Sequence, residues 1–94
     1  MARSVVVTEL GLRSLQQSPL SKVEGAILWH LVEWLPITGN VVSKTQLGAA
    51  LSIRDAHVSR TMKRLCELGF LTRGLRIGVS YHYKLNPAFF RILS

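Results

Sequence analysis

The sequence predicts a small, mainly α-helical domain that carries one β-hairpin. Three observations lead to this fold class. Apolar residues recur with helical spacing over residues 19–68, the spacing changes to a period of two over residues 70–85, and capping residues, glycines and prolines separate the segments. A chain of 94 residues accommodates one domain at most, so we predict a single domain over residues 1–94.

The first half of the chain predicts one long helix after a segment without a clear pattern. Within residues 1–17, Val5 to Val7 can form a short strand and Leu10, Leu12 and Leu15 can belong to a helix, so the segment receives no firm assignment. A Ser-Pro pair at residues 18–19 is a helix start, because serine caps free amides and proline fits the first helical position. The helix runs to about Leu35, since Pro36 ends it. Residues 26–35 are apolar around almost the whole circumference, which indicates packing on more than one side.

The middle of the chain predicts two helices joined by a tight turn. Residues 41–42 form a short extended piece that can pair with the later hairpin. Ser43 is the expected N-cap of a helix over residues 44–51, and Gln46 completes a capping box with it. Residues 52–53 form the turn into the second helix.

The second of these helices is amphipathic. It begins near Arg54 or Asp55 and ends at Leu68, where Gly69 provides a stop signal. At 100° per residue, one face points inward and carries Val58, Thr61, Met62 and Leu65. The opposite face has three cations and no acid before Glu67, and its members are Ala56, His57, Arg60, Lys63 and Arg64, with Ser59 at the flank.

The remaining residues predict a β-hairpin and a last helix. Residues 70–73 form the first strand, and alternation in residues 79–85 buries every second side chain, namely Val79, Tyr81, Tyr83 and Leu85. Residues 74–78 form the tip, with a glycine at each end. An Asn-Pro pair at residues 86–87 starts a C-terminal helix over residues 86–94 by the same logic of a cap followed by proline.

All of the excess positive charge lies in the second half of the chain. Residues 1–42 contain as many acids as cations, whereas residues 43–94 contain nine Lys or Arg against Asp55 and Glu67, which accounts for the net charge of +7. A localised basic surface attracts a polyanion. Together with the pair of helices, this distribution makes double-stranded DNA the expected partner.

The order of helix, short strand, helix, helix, hairpin and helix resembles the winged helix-turn-helix family, over residues 19–85. The most specific stretches are KTQLGAALSI at residues 44–53, HVSR at 57–60 and LCELGFL at 65–71. They are similar to the family's threonine-led first helix, its recognition helix and its exit into the β-hairpin wing. The resemblance implies a winged helix-turn-helix fold that binds DNA.

Two positions depart from that family pattern, and one segment resembles narrower groups. Ser52 stands where the family often has Gly, and Arg54 stands where a Ser cap is usual. Residues 78–90 are similar to the wing exit and the Asn-Pro-aromatic segment of RepL-type plasmid replication initiators. The wing pattern is equally similar to that of multiple-antibiotic-resistance-type repressors.

Candidate DNA-binding residues follow from the charge pattern and from the resemblance. The major groove admits one α-helix, so Arg60 and His57 in the first half of the second helix are expected to face base edges. Donors at the start of the preceding helix, later cations and hairpin arginines are expected to contact phosphates or the minor groove. The full set is Ser43, Lys44, Thr45, Arg54, His57, Ser59, Arg60, Lys63, Arg64, Arg73 and Arg76.

Composition argues against several other classes of protein. The histidines lack nearby carboxylates in motif spacing, so we expect no catalytic residues, no metal ligands and no cofactor. Cys66 is the single cysteine, which excludes an internal disulfide and favours the cytoplasm. Residues 26–35 are far shorter than the roughly 20 apolar residues of a membrane span. Residues 1–7 have too little apolar sequence for a secretory signal.

Three functions and one assembly state are expected from these observations. The first is a transcriptional regulator of a plasmid, phage or bacterial operon. The alternatives are a replication initiator, or a partition or transfer accessory factor, that binds iterated DNA sites, and a winged-helix protein–protein interaction module. A homodimer is expected because residues 26–35 are apolar all round and because apolar residues lie close to the end of the chain, at Phe89, Phe90, Ile92 and Leu93.

Overall fold

A computed structural model describes residues 3–93 of the chain, so Met1, Ala2 and Ser94 lie outside the described residues. The described part is an α+β structure of four helices and two small antiparallel sheets. None of its helices is long and apolar enough to span a membrane. The elements are β1 (Ser4–Val7), α1 (Glu9–Gln17), α2 (Lys22–Trp34), β2 (Asn40–Val42), α3 (Lys44–Leu51), α4 (Asp55–Glu67), β3 (Leu71–Ile77), β4 (Ser80–Leu85) and β5 (Phe90–Leu93).

The N-terminal segment, which received no firm assignment from the sequence, contains a strand and a helix. Three consecutive valines form most of β1, as expected for β-branched residues that pair with a neighbouring strand. Thr8 is the N-cap of α1, since its side-chain oxygen accepts from the amide of Gly11 at 3.3 Å. The Thr8 amide also donates to the carbonyl of Phe89 at 2.9 Å, which fixes this corner to the C-terminal part of the chain.

The predicted start of the long helix at Ser18 and Pro19 is wrong by about three residues. Ser21 is the N-cap of α2, because its Oγ accepts from the Glu24 amide at 3.1 Å while Glu24 Oε1 accepts from the Ser21 amide at 2.8 Å. This complete capping box satisfies two free amides, whereas a cap at Ser18 satisfies one. Ser18 is instead the C-cap of α1. The predicted end of the helix before Pro36 is confirmed.

The two helices predicted for the middle of the chain are confirmed. Ser43 Oγ accepts from the amide of Gln46 at 3.2 Å, which is the one bond of the predicted capping box that forms within residues 3–93. Ser52 ends α3 in the left-handed region, with φ of +57°. Gly48 permits this tight turn, since a Cβ there would lie 2.5 Å from the carbonyl oxygen of Ile53. Gly69, with φ of +89°, follows α4 as predicted.

The hairpin is longer and its turn tighter than predicted. Residues 74–77 belong to β3 and not to the tip, and the pairing shifts register between Arg73 and Arg76. The turn consists of Gly78 and Val79, because Ile77 pairs with Ser80. Val79 is therefore 90% exposed and not buried as the alternation indicated. Tyr83 and Leu85 are buried as predicted.

The predicted C-terminal helix does not form in the described residues, and Ser94 lies beyond them. Asn86 makes a turn, in which its Oδ1 accepts from the Ala88 amide at 2.9 Å and its carbonyl accepts from the Phe89 amide at 2.9 Å. The following β5 pairs antiparallel with β1, from Val7 with Phe90 to Ser4 with Leu93. A valine-rich partner strand provides more hydrogen bonds than a helix of so few residues, so strand pairing prevails. The domain is thus richer in β-structure than the predicted mainly α fold.

The core lies between α2, α4 and the three-stranded sheet of order β2-β4-β3. The predicted pairing of residues 41–42 with the hairpin is confirmed, since β2 pairs with β4. Helix α2 is covered on a second side by the chain itself, because Trp29 packs edge-on against Phe90 of β5 with ring centroids 6.3 Å apart. This contact accounts for part of the apolar circumference of α2, while Ala26 and Trp34 remain exposed.

Candidate nucleic-acid interface

The two faces of α4 separate as the helical period predicted. Val58, Thr61, Met62 and Leu65 are buried on the inner face. On the outer face Arg60 and Lys63 are exposed, as is Arg54 at the N-cap, and His57 and Ser59 are half-buried. Arg60 and Lys63 are one helical turn apart, so their cationic groups belong to the same surface.

Arg64 lies at the edge of this surface, against another helix. Its Nε is 2.8 Å from Oε2 of Glu24, at the start of α2. The Glu24 side chain is only 14% exposed, and its other oxygen closes the capping box of α2. Arg64 thus joins α4 to α2, and the positive charge of its guanidinium is partly neutralised by Glu24.

The start of α3 lies next to the start of α4. Thr45 Oγ1 donates to Oδ2 of Asp55 at 3.0 Å, which joins the first turns of the two helices. The Ser43 hydroxyl acts as the helix cap described above, and the Lys44 side chain extends toward β4. Asp55 is exposed and was not among the predicted site residues. Its position directly after Arg54, at the first turn of α4, was the signal in the sequence.

The aromatic ring of Tyr81 in β4 gathers two of the predicted cations. The Arg73 guanidinium carbon lies 4.5 Å from the ring centroid, and the Lys44 Nζ lies 5.9 Å from it. Cation–π attraction holds both groups near the same ring. Arg76 is placed elsewhere, at the end of the hairpin, where its Nε donates to the Gly78 carbonyl at 2.9 Å.

A cleft of about 630 Å³ opens between α4, the start of α3 and the hairpin. It brings together four of the predicted residues with three others, and its lining consists of Lys44, Ser59, Lys63, Cys66, Glu67, Arg73 and Tyr83. The sequence offered part of this arrangement, since residues 59, 63 and 66 lie along one stripe of α4. It did not indicate that Lys44 and Arg73 join that stripe, because their approach depends on how the sheet packs.

Two weak acids line the cleft. Burial raises the pKa of the Cys66 thiol, and the nearby Arg73 guanidinium opposes that shift. Burial also raises the pKa of the Tyr83 hydroxyl. Both groups are therefore neutral near pH 7, and the charges of the lining are those of three cations and Glu67.

The chemistry available on this surface is the binding of anions. Arginine and lysine donors with nearby hydroxyls are groups that hold phosphate oxygens. Among residues 3–93, no three His, Cys, Asp or Glu side chains are grouped closely enough to hold a metal ion. Comparison with protein-family models and with curated proteins gives no match for the chain.

Proposed function

We propose that the chain is a sequence-specific duplex-DNA-binding protein with a winged helix-turn-helix architecture, and that it acts as a transcriptional regulator. One observation carries the proposal. The outer face of α4 presents Arg60 and Lys63 to solvent while its inner face is fully packed, and Lys44 and Arg73 extend the same charge from neighbouring elements.

The arrangement of elements supports this reading of the charge. Helices α3 and α4 meet at the tight turn of Ser52, as in a helix-turn-helix pair. The β3–β4 hairpin follows α4 directly, and its Arg73 lines the same cleft as Lys63 of α4, which is the arrangement expected if the hairpin acts as a wing. The Arg64–Glu24 ion pair and the Thr45–Asp55 hydrogen bond fix α4 at its two ends.

Each cation has a role suited to its position. Arg60 lies in the first half of α4, which enters the major groove, and its planar guanidinium fits O6 and N7 of guanine. Lys63 lies one turn later, where the DNA backbone approaches the helix. Lys44 and Arg73 are placed to contact phosphates on the hairpin side of α4.

The test is selection of binding sites from a random duplex pool, followed by titration of the enriched duplex and a scrambled one. We expect an enriched motif and an affinity that falls steeply with added salt, with a log–log slope of about −0.9 for each phosphate neutralised. Lys22→Ala is the charge-matched control, because Lys22 lies on α2 outside the proposed surface. Absence of an enriched sequence together with a flat salt dependence would contradict the proposal.

We further propose that the protein binds DNA as a homodimer. The outer face of the β1–β5 sheet exposes Val6 and Leu93, and α1 beside it exposes Leu10 and Leu12. Residues 1–42 are neutral overall, and Arg91 of β5, opposite Val6, adds one cation to this face, so two copies approaching through it meet less repulsion than through the basic surface. A second copy of the chain is therefore the occupant we assign to this apolar face.

A further inference from the structure

We propose that the cleft between α4 and the hairpin binds a small phosphate ester that carries hydroxyl groups, and that this ligand competes with DNA. The binding itself is independent of the function proposed above, whereas the competition rests on that function. Hereafter this site is the phosphate cleft, lined by Lys44, Ser59, Lys63, Cys66, Glu67, Arg73 and Tyr83.

Cations from three different elements converge on the phosphate cleft. Lys44 comes from α3, Lys63 from α4 and Arg73 from β3, and the lining contains Glu67 as its one carboxylate. Like charges that share one cavity repel one another, so their approach lowers stability unless an anion compensates them. A doubly negative phosphate group matches the excess of positive charge.

The size of the cleft and the burial of part of its lining favour a small molecule over a stretch of DNA backbone. Its volume of about 630 Å³ lies within the range typical of small-molecule sites. Tyr83, which is only 2% exposed, and the half-buried Cys66 both line it. Because a duplex is much wider than the cleft, we expect it to contact the exposed Lys63 and Arg73 rather than these two side chains.

The polar groups define the chemistry of the ligand. Stacking against Tyr81 restricts the Arg73 side chain, so less entropy is lost when its guanidinium binds two phosphate oxygens. The Ser59 hydroxyl is a further donor to phosphate. Glu67 accepts hydrogen bonds and repels a second acidic group, which favours a ligand with hydroxyls over a dicarboxylate.

Cys66 provides a reporter for occupancy, because it is the only cysteine of the sequence. The experiment measures its alkylation by iodoacetamide in the full chain without DNA, with adenosine monophosphate as the probe and adenosine as the phosphate-free control. At a probe concentration about ten times its dissociation constant, alkylation should slow about tenfold, because only the empty cleft reacts. Amide chemical shifts of Cys66 and Arg73 provide a second readout with the same probes.

Variants connect the protection to the cations. Arg73→Ala and Lys44→Ala should abolish protection by adenosine monophosphate, whereas Lys22→Ala should retain it; circular dichroism checks that each variant is folded. The inference is overturned if wild type shows neither protection nor saturable amide shifts. It is also overturned if adenosine acts as strongly as its monophosphate, or if Lys22→Ala loses protection to the same extent.

Titrations with duplex DNA separate this inference from the proposed function. Adenosine monophosphate should raise the apparent Kd for DNA in wild type, and this effect should disappear in Lys44→Ala. A chain that binds the probe without binding DNA supports the phosphate cleft and refutes the proposed function. A chain that binds DNA but shows no response of Cys66 or Arg73 to the probe overturns the cleft and leaves the function intact.

Discussion

The carboxylate of Asp55 lies at the end of α4 that we expect to meet DNA, and the Thr45 hydroxyl holds it in place. Its negative charge repels phosphates, and its carboxylate oxygens can accept a hydrogen bond from the amino group of cytosine. Asp55 is thus a candidate for selecting between bases, although its sign is opposite to that of the surrounding surface. The pattern of cations that predicts the basic surface does not point to a carboxylate, so the sequence prediction omitted it.

Asp55→Asn removes this charge and retains an oxygen that accepts from Thr45. We expect binding to a scrambled duplex to strengthen by about 0.5–1 kcal/mol, because one repulsion is lost. The preferred base at one position should change toward adenine, which asparagine reads with two hydrogen bonds. Fluorescence anisotropy titrations and repeated site selection measure both effects. Unchanged affinity and an unchanged motif would show that Asp55 only joins the two helices.

Arg60 and Lys63 are expected to differ in kind although both are exposed cations on one face of α4. Arg60→Ala should weaken binding to the selected duplex by about 1–3 kcal/mol and relax one base position. Lys63→Ala should weaken binding to all sequences alike and reduce the salt slope by about one. Equal losses on selected and scrambled duplexes for both variants would refute the assignment of Arg60 to base contact.

Ser52 has a left-handed backbone, which strains any residue with a Cβ. Ser52→Gly should therefore stabilise the fold by about 0.5–1 kcal/mol, after the greater freedom of glycine in the unfolded chain is subtracted. Urea unfolding followed by circular dichroism measures the change in the free energy of unfolding. A loss of stability in this variant would contradict the assigned turn geometry.

At the scale of elements, the sequence predicted best where a boundary has a local signal. Helices α3 and α4 were predicted closely, because Ser43 caps the first and Gly69, with positive φ, ends the second. The predicted start of α2 was wrong because Ser18 and Ser21 are both candidate caps, and Ser21 forms both bonds of a capping box. The spacing of Ser21 and Glu24 is that of a capping box, so the sequence carried the signal for the correct start, and it is stronger than a serine followed by proline.

The β1–β5 pair shows the limit of local reasoning. Its strands lie at opposite ends of the chain, and β5 follows an Asn-Pro pair that signals a helix start equally well. Pairing with the valines of β1 makes the strand conformation of β5 more stable than a helix. The phosphate cleft was missed for the same reason, since Lys44 and Arg73 approach each other through the packing of Tyr81 between distant segments.

The contact between α2 and α4 has an electrostatic component that can be tested. Glu24→Gln retains a side chain suited to the capping box and removes the negative partner of Arg64. Because the Arg64 side chain is 46% exposed, we expect a loss of only about 0.5–1 kcal/mol in the free energy of unfolding. A double-mutant cycle with Arg64→Met isolates the pair.

The matched control for that cycle is the Glu9–Arg13 pair of α1. Its Arg13 Nη2 and Glu9 Oε1 lie 3.0 Å apart, and both side chains are exposed. Its coupling should be smaller, about 0.3–0.5 kcal/mol, because solvent screens it and it joins residues of one helix. Equal coupling in the two cycles would mean that the Arg64–Glu24 pair does not help to position α4. Reduced DNA affinity of Glu24→Gln beyond its effect on stability would support such positioning.

At the scale of the whole molecule, most of the positive charge lies apart from the apolar surface of β1, α1 and β5, although the cationic hairpin also exposes Leu75, Ile77 and Val79. Of the nine cations after residue 42, all but Arg91 belong to the α3–α4 pair, the turn between them and the hairpin. The exposed valine and leucines of β1, α1 and β5 belong to the other sheet and its helix. This division leaves the basic surface accessible when the apolar one is covered, as a dimer on a two-fold DNA site requires.

Dimerisation through the β1–β5 sheet predicts the effect of one added charge. Val6 is 45% exposed on the outer face of β1, so Val6→Lys should place two like charges at a symmetric interface and separate the copies. Sedimentation at micromolar concentration should change from a dimer to the 10.5 kDa monomer. Val79→Lys, at the exposed turn of the hairpin, is the matched control and should leave the dimer intact.

The same variants link assembly to binding. Val6→Lys should bind a half-site as wild type does. It should lose affinity for a full two-fold site, because its monomers bind the two half-sites separately and not as one linked dimer. Its fold should persist, since the side chain faces away from the core and Val5 and Val7 are the residues of β1 that pack against it. Sedimentation of wild type as the 10.5 kDa species alone would refute the dimer, and an asymmetric selected motif would agree with that result.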